Sequence, residues 1–309
     1  MKSLLPAALL LFLGCGDDDP GPSARDAEVA APAPDAGKAD AATPARDSSV
    51  PDAGRPPSDA GSAADARTET AEDAAAATDA GATGCTGLKF CDDFEDAQLG
   101  AGWTGKQGMI ELDDTKAHSG KKSLHAHTVN GGASIIAHRA SFPMPNERFW
   151  VRLFVNIKNL PTPDWAHWSM LWTMPEGAQW SAEEHRLGGQ NETDDKLYWG
   201  VGTDRGPSGD WTNIDSSSAV ALDTWQCVEL FIDAKEDVSK VYREGVEIPK
   251  LGTTRTVKHQ GNASVPYDIP SPRSITIGFT YHQGQTPNQA YDLWIDSFAL
   301  DGERIGCAR

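Results

Sequence analysis

The sequence predicts an all-β sandwich of the jelly-roll type for residues 85–309. Two observations lead to this fold class. The region holds many short runs in which apolar and polar residues alternate, and glycine- and proline-containing turns separate them. No stretch keeps the 3.6-residue period of a helix. The strands are therefore expected to pair in two antiparallel sheets that enclose one core.

The clearest predicted strand is residues 149–157, in which every second residue is apolar. The residues between them, including Trp150 and Arg152, would face away from the core. Further strands are predicted at 167–172, 196–201, 225–233, 274–282 and 291–300, with a hairpin turning at Glu244-Gly245. Outward aromatic and polar residues are typical of a sugar-binding sheet, although most strand tryptophans are ordinary core or pairing residues.

Residues 1–15 have the features of a lipoprotein signal peptide. Lys2 supplies a positive charge, and the apolar run 4–13 is shorter than the roughly 20 residues of a membrane-spanning helix. The run ends at Gly14-Cys15, which resembles a bacterial lipobox and implies cleavage there and lipid attachment to Cys15. Acyl chains would then be the only membrane anchor, and the protein would lie in the cell envelope, exposed outside the cytoplasm. Plain secretion with cleavage elsewhere is the alternative.

Residues 16–84 are predicted to be a disordered tether. They consist mainly of Ala, Asp, Pro, Gly, Ser and Thr, without any aromatic residue, and the triplet Asp-Ala-Gly recurs four times. Such a segment cannot bury enough apolar surface to offset the entropy of ordering it. The scattered Pro and Gly also argue against a helix.

The charge of the chain excludes one class of partner. The first 84 residues carry 6 basic and 15 acidic side chains, and the remainder carries 21 and 30, so each part has a formal charge of −9. An acidic domain lacks the electrostatic footprint of a nucleic-acid-binding protein. We expect a monomer, and an acidic polymer would need a local basic cleft to bind.

Four cysteines remain once Cys15 is assigned to lipid. An even number in an exported chain predicts two disulfides among Cys85, Cys91, Cys227 and Cys307, and three pairings are possible. None of the spacings matches a zinc site. Because these residues include the first and nearly the last of the domain, the bridges are expected to tie its termini to the sandwich.

An ordered series of motifs then becomes visible. It consists of Cys91-Asp92-Asp93-Phe94-Glu95, Trp103, His118-Ser119-Gly120-Lys121-Lys122-Ser123-Leu124 and Leu293-Trp294-Ile295-Asp296-Ser297-Phe298-Ala299-Leu300. The series resembles concanavalin A-like jelly-roll domains of extracellular carbohydrate-active proteins. These include carbohydrate-binding modules, alginate and glucuronan lyases, and a fungal cellulose-induced protein related to those lyases. The resemblance spans residues 90–300 and implies polysaccharide as the partner.

The resemblance also implies a structural calcium ion. Carried over by position, its ligands would be Glu95, Ser119, Lys122 through its carbonyl, and Asp296. Carboxylates and loop carbonyls are the hard oxygen ligands that calcium takes. The ion would hold the first strand to the last and raise the melting temperature. Asp92 and Asp93 are alternative ligands, and the acids could equally be solvated or capping residues.

Lyases of this fold cleave uronic-acid polymers by β-elimination, which needs a group that neutralises the carboxylate, a base and an acid. The resemblance suggests Arg152, Arg186 and Gln190 as neutralisers, His167 as base and Tyr281 as acid. The tight Arg-Thr-Glu-x-Arg and Gln-x-His motifs of those lyases are absent. Arg152 could simply pair with an acid on the next strand. Glu183 and Glu184 are adjacent and would face opposite sides of a strand, which disfavours a retaining glycosidase.

Two functions therefore stand against each other. One is a surface lipoprotein that cleaves an acidic polysaccharide, and the other is a non-catalytic carbohydrate-binding protein on the same fold. A scaffold for adhesion is a third reading. The acidic domain favours binding, whereas the combination of His, Arg, Gln and Tyr on separate strands favours cleavage.

Overall fold

The computed structural model describes residues 85–308, apart from residues 130–131, 179–182, 195, 205–210, 261 and 283–287. The predicted signal peptide, Cys15 and the tether of residues 16–84 lie outside the described residues. Within the described part, no helix has the length and apolar character needed to cross a membrane.

The regular secondary structure of the described chain is almost entirely antiparallel strand. The strands are β1 (Phe90–Asp92), β2 (Trp103–Gln107), β3 (Met109–Asp113), β4 (Ser123–Val129), β5 (Ser134–His138), β6 (Arg148–Ile157), β7 (His167–Met174), β8 (Glu184–Asn191), β9 (Leu197–Asp204), β10 (Trp211–Ala219), β11 (Trp225–Asp233), β12 (Val238–Arg243), β13 (Val246–Glu247), β14 (Lys258–His259), β15 (Asn262–Pro266), β16 (Ser274–His282) and β17 (Ala290–Asp301). Two short 3-10 turns, Pro145–Glu147 and Pro249–Leu251, connect some of them.

The strands form two large sheets. Sheet A has the order β13-β12-β11-β6-β17-β4-β3, with β1 also paired to β17. Sheet B has the order β10-β9-β8-β7-β16-β5-β2, and β14 pairs with β15 in a separate hairpin. Sequential neighbours such as β6 and β7 lie in different sheets, so the chain crosses repeatedly between them. The predicted sandwich of two antiparallel sheets is confirmed.

Alternation along the strands determines which side chains fill the core. In β6 the core takes Phe149, Val151, Leu153, Val155 and Ile157, as the pattern predicted. In β16 it takes Ile275, Ile277, Phe279 and Tyr281. Successive residues of a strand point to opposite sides, so the residues between these face outward.

A bulge in β7 changes the outward set of sheet B. Ser169 pairs with Gly188 of β8, but Leu171 pairs with the very next β8 residue, Leu187. Met170 is the extra residue, and both it and Leu171 enter the core. As a result His167, Ser169 and Trp172 all lie on the outer face.

The predicted hairpin and disulfides are also present. Glu244 and Gly245 both have positive φ, 51° and 79°, which is the conformation of the two-residue turn that joins twisted strands. Cys85 is bonded to Cys91 at the start of β1, and Cys227 of β11 is bonded to Cys307. Both bridges therefore hold an end of the domain to the sandwich, as expected.

Buried histidines make the stability of this core depend on pH. His185 of β8 is fully buried, and burial, followed by the charges of Arg186 and His259, lowers its pKa from 6.5 to about 3. An unfolded histidine takes up a proton near pH 6.5. Between that pH and about 3 the unfolded state therefore binds more protons, and the free energy of unfolding falls as the pH falls.

We expect His185→Leu to flatten this dependence. The loss of unfolding free energy between pH 7 and pH 4.5, measured by urea titration, should be smaller in the variant than in the wild type. The comparison concerns the slope with pH, so a general change in core packing does not affect it. Equal slopes for the two proteins would contradict the assignment.

Candidate functional site

Three of the five residues predicted for catalysis lie together. His167 of β7 and Arg186 and Gln190 of β8 are on the outer face of sheet B. His167 is paired directly with Gln190, and Arg186 is paired with Trp172, toward the far end of β7. The structure brings these three to one surface.

Arg152 is not part of this surface. It lies on the outer face of sheet A, on the opposite side of the core, where it is paired with Glu229 of β11. Burial lowers the pKa of Arg152, while the charges of Glu229 and Asp296 oppose that change. The prediction that Arg152 neutralises a substrate carboxylate was therefore wrong. The alternative prediction, that Arg152 lies beside an acid on the neighbouring strand, agrees with the structure.

Tyr281 is also placed elsewhere. It faces the core, is 3% exposed, and its ring centroid lies 4.7 Å from that of Tyr291. Successive strand residues point to opposite sides of a sheet, so Tyr281 points into the core whereas His167 points to the outer face. The next residue, His282, is the one that faces outward, and it is paired with His167.

Four outward side chains form a continuous row across sheet B, which we call the polar row. It consists of His282 (β16), His167 (β7), Gln190 (β8) and Tyr198 (β9). The two imidazole rings stack with centroids 5.0 Å apart. His282 and Gln190 are partly exposed, whereas His167 and Tyr198 are nearly buried. Sequence analysis missed His282 and Tyr198, although the alternation of β16 from Ile275 to Tyr281 already puts His282 on the outward side.

An exposed tryptophan lies beside the polar row. Trp165, just before β7, is 54% exposed and has a positive φ of 64°. Its backbone carbonyl oxygen lies 3.4 Å from Nδ1 of His167, and its backbone N–H donates to the carbonyl of Asn191 at the end of β8. The loop that carries this indole is thus fixed to the two central strands of the row.

Two acids border the row. The amide Nε2 of Gln190 donates to Glu192 at 2.8 Å, and the hydroxyl of Tyr198 donates to Asp194 at 2.7 Å. The hydrogen bond to Asp194 is the main cause that raises the pKa of Tyr198. Burial, with the charge of Asp194 as a smaller cause, raises the pKa of Glu192. Lys196 also borders the row, and its Nζ lies 3.2 Å from Oδ2 of Asp194, so that acid is partly compensated.

Arg186 is itself compensated. Its Nη1 lies 3.2 Å from Oε1 of Glu184, and both side chains are almost completely buried. A buried cation that already has a carboxylate partner supplies little net positive charge to a substrate. This pairing weakens the predicted role of Arg186 in neutralising a uronic-acid carboxylate.

The residues predicted to bind calcium meet at the loop of residues 118–122, where carboxylate oxygens of Glu95 and Asp296 accept backbone N–H groups. Oε1 of Glu95 accepts the N–H groups of Lys121 and Lys122, each at 2.8 Å. Oδ2 of Asp296 accepts those of His118 and Ser119, at 2.8 and 3.0 Å. These contacts connect β17 and the start of the domain through the loop of residues 118–122.

Lys122 brings its own cation to this cluster. Its Nζ donates to the carbonyl oxygens of Asp96 at 2.7 Å and Glu95 at 3.3 Å. Calcium requires six to eight oxygen ligands, and an ammonium group among them both occupies ligands and repels the ion. Asp92 is likewise engaged with Phe94 and Trp103. The ammonium group of Lys122 would therefore compete with a calcium ion at this position.

Comparison with known proteins identifies the family. The model of the Cip1-like core domain, in the polysaccharide-lyase-like class, matches residues 94–303. The chain belongs to this Cip1-like family. Among solved structures it is similar to the cellulose-induced protein Cip1, with 20% identity, a TM-score of 0.54, and coverage of 71% of this chain and 99% of that one.

Weaker structural similarity extends beyond the Cip1-like family. A xylan beta-1,4-xylosidase from Bacillus halodurans has 10% identity and a TM-score of 0.42, over 68% of this chain and 38% of that chain. A botulinum neurotoxin serotype C1 binding domain has 10% identity and a TM-score of 0.38, over 65% and 44%. No curated protein matches the chain.

The contacts of Lys122 lead to a prediction about ions. Adding calcium to the metal-free protein should leave its melting temperature unchanged. Lys122→Met should destabilise it by about 1–2 kcal/mol, because hydrogen bonds from a charged group are lost. Each kcal/mol corresponds to about 2–4 °C in a domain of this size.

Lys121→Met is the matched control, since the N–H of Lys121 makes a bond to Glu95 that the substitution keeps. Thermal unfolding followed by circular dichroism measures all three proteins. A melting temperature that rises with calcium in the wild type would show that the ion displaces the ammonium group.

Proposed function

We propose that this protein recognises an extracellular polysaccharide at the polar row and Trp165, as a binding protein rather than a lyase. The observation that carries the proposal is the exposed Trp165, whose backbone contacts His167 and Asn191, together with four side chains with hydrogen-bonding groups on adjacent strands. Aromatic rings stack on the apolar faces of sugars, and amide, imidazole and phenol groups bond their hydroxyls. Membership in the Cip1-like family supports a carbohydrate-related role.

The charges around the row favour a neutral polymer. Glu192 and Asp194 border it, and Arg186 is paired with Glu184. Removal of the proton next to a uronic-acid carboxylate requires that the carboxylate's charge be masked. Lys196, the lysine beside the row, is already paired with Asp194 at 3.2 Å, so the described residues nearest the row supply little unpaired positive charge to such a substrate.

Cleavage by β-elimination is the second candidate. The stacked pair His167 and His282 favours it, because imidazole is a common general base. Tyr198 supplies a phenol for the acid role, although its raised pKa makes it a weaker proton donor. Gln190 would then be the group nearest to a substrate carboxylate.

Polysaccharide binding should depend on Trp165. We expect the purified full-length protein, in detergent, to be retained on a neutral glucan or xylan, and Trp165→Ala to weaken retention about tenfold, equivalent to about 1.4 kcal/mol. Leu222→Ala, at another exposed apolar side chain, is the control and should bind as the wild type does. Binding that is unchanged in Trp165→Ala would contradict the assignment of the site.

The same samples distinguish binding from cleavage. Incubation with glucuronan and alginate, followed by ultraviolet absorbance of the unsaturated product, should show no product. If product forms, the lyase reading replaces the binding one, and His167→Asn should reduce the rate by about 10²–10⁴-fold. Tyr281→Phe should leave that rate unchanged, because Tyr281 faces the core.

The proposal includes attachment to the cell envelope. Residues 1–15 have the pattern of a lipoprotein signal peptide, and residues 16–84 have the composition of a solvated tether. A domain that binds an external polymer gains from an anchor that prevents it from diffusing away. This part of the proposal rests on the sequence alone.

Lipidation should depend on Cys15. In a bacterial host fed radiolabelled palmitate, the wild type should incorporate label and sediment with membranes. Cys15→Ser should do neither, because it removes the sulfur that carries the lipid. An unlabelled wild-type protein would show plain secretion instead.

A further inference from the structure

Two histidines and an aspartate meet on the outer face of sheet A, across the core from the polar row. His125 and His127 are two residues apart on β4, so both point outward, and Asp292 of β17 is paired with His127. Oδ1 of Asp292 lies 3.0 Å from Nε2 of His125 and 2.7 Å from Nδ1 of His127. Three metal-ligating atoms therefore converge from two adjacent strands.

We propose that this cluster is a site for a divalent transition metal of the zinc class. Zinc takes imidazole nitrogens and carboxylate oxygens at about 2.0–2.2 Å, which puts tetrahedral ligand atoms about 3.3 Å apart. The two separations from Asp292, 3.0 and 2.7 Å, need to widen by about 0.3 and 0.6 Å, and the three ligand atoms already lie within 4.8 Å of one another. Imidazole selects transition metals over calcium or magnesium, which prefer oxygen.

The surroundings hold the ligands in place. The ring of His125 stacks on Trp294, with centroids 4.5 Å apart and planes 4° from parallel. Its other nitrogen, Nδ1, lies 3.8 Å from Oδ2 of Asp113, and that oxygen accepts the indole N–H of Trp294 at 2.6 Å. A carboxylate behind a ligating histidine is the usual outer partner of a zinc site.

The site is accessible but not open. Side-chain exposure is 12% for Asp292, 18% for His125 and 31% for His127, so an ion can enter while bulk water is partly excluded. Glu111 of β3 is paired with His125 on the same outward face and is exposed. It can complete a four-ligand set, or solvent can take that position.

One cation opposes metal binding. Nζ of Lys158 lies 3.1 Å from Oδ2 of Asp292. This lysine is 55% exposed, so its ammonium group can move into solvent when an ion arrives. A cluster whose only role is to pair with Lys158 would be weakened by loss of that charge, whereas a metal site would not.

The test is calorimetric titration of metal-free full-length protein with zinc chloride. We expect one zinc ion to bind per chain. His127→Gln and Asp292→Asn should each weaken zinc binding roughly 100-fold or more. That loss exceeds the 10–100-fold cost of losing a residue that only hydrogen-bonds to a metal ligand. Lys158→Met should bind as tightly as the wild type or more tightly. Cobalt in place of zinc should give the visible absorption bands of a tetrahedral complex.

The stacked pair His167 and His282 on sheet B is the competing location. A variant with both changed to Gln should keep full zinc binding. Loss of binding in that variant, binding that survives His127→Gln, or a wild type that takes up no zinc would each overturn the proposal. Asp292→Asn keeps the size of the side chain, so it remains informative if a histidine variant fails to fold.

Discussion

The facing of two sheets across one apolar core is the constraint on which the rest of the structure depends. Each strand residue points either into the core or to the outer face of its own sheet. The core lies between the two outer faces and separates them. The polar row on sheet B and the histidine cluster on sheet A are therefore independent chemical environments. A group on one face cannot assist chemistry on the other, whatever their separation in sequence.

A charged side chain on an outer face needs a partner wherever another segment of the chain covers it. Glu229 is fully buried on the outer face of sheet A, where it accepts bonds from Arg304 at 2.8 Å and from the N–H of Gly306. Arg304 also lies over Tyr242, 4.1 Å from the ring centroid. The C-terminal segment thus covers Glu229 and also supplies the donors that compensate its charge. That cover leaves this part of the face filled rather than available to a ligand.

The sequence was sufficient for the fold because its main signal is local. Alternation in residues 149–157 identified both the strand and its inward face correctly. The hairpin at Glu244-Gly245 followed from turn chemistry. Both signals lie within a few residues and need no knowledge of the partners.

The candidate site was harder to predict because a site depends on which strands become neighbours. Arg152 and His167 both occupy outward positions, yet they belong to different sheets. Tyr281 was chosen where His282 was needed, because the resemblance to the lyases was followed in preference to the alternation of β16, which groups Tyr281 with the inward residues. Lys122 was assigned through its carbonyl, and the contacts of its ammonium group with the carbonyl oxygens of Glu95 and Asp96 could not be predicted from sequence. The loop that carries Trp165 has no alternation of apolar and polar residues from which its place beside the site could be predicted.

The extra residue Met170 in β7 has a consequence for relatives of this chain. It resets the alternation, so that His167 and Trp172 face outward although they are five positions apart. A homologue that keeps the same residues but has no bulge at this point would turn one half of the strand over. Its histidine or its tryptophan would enter the core, and the outer face would change without any substitution. The bulge in this strand therefore decides which side chains the outer face presents.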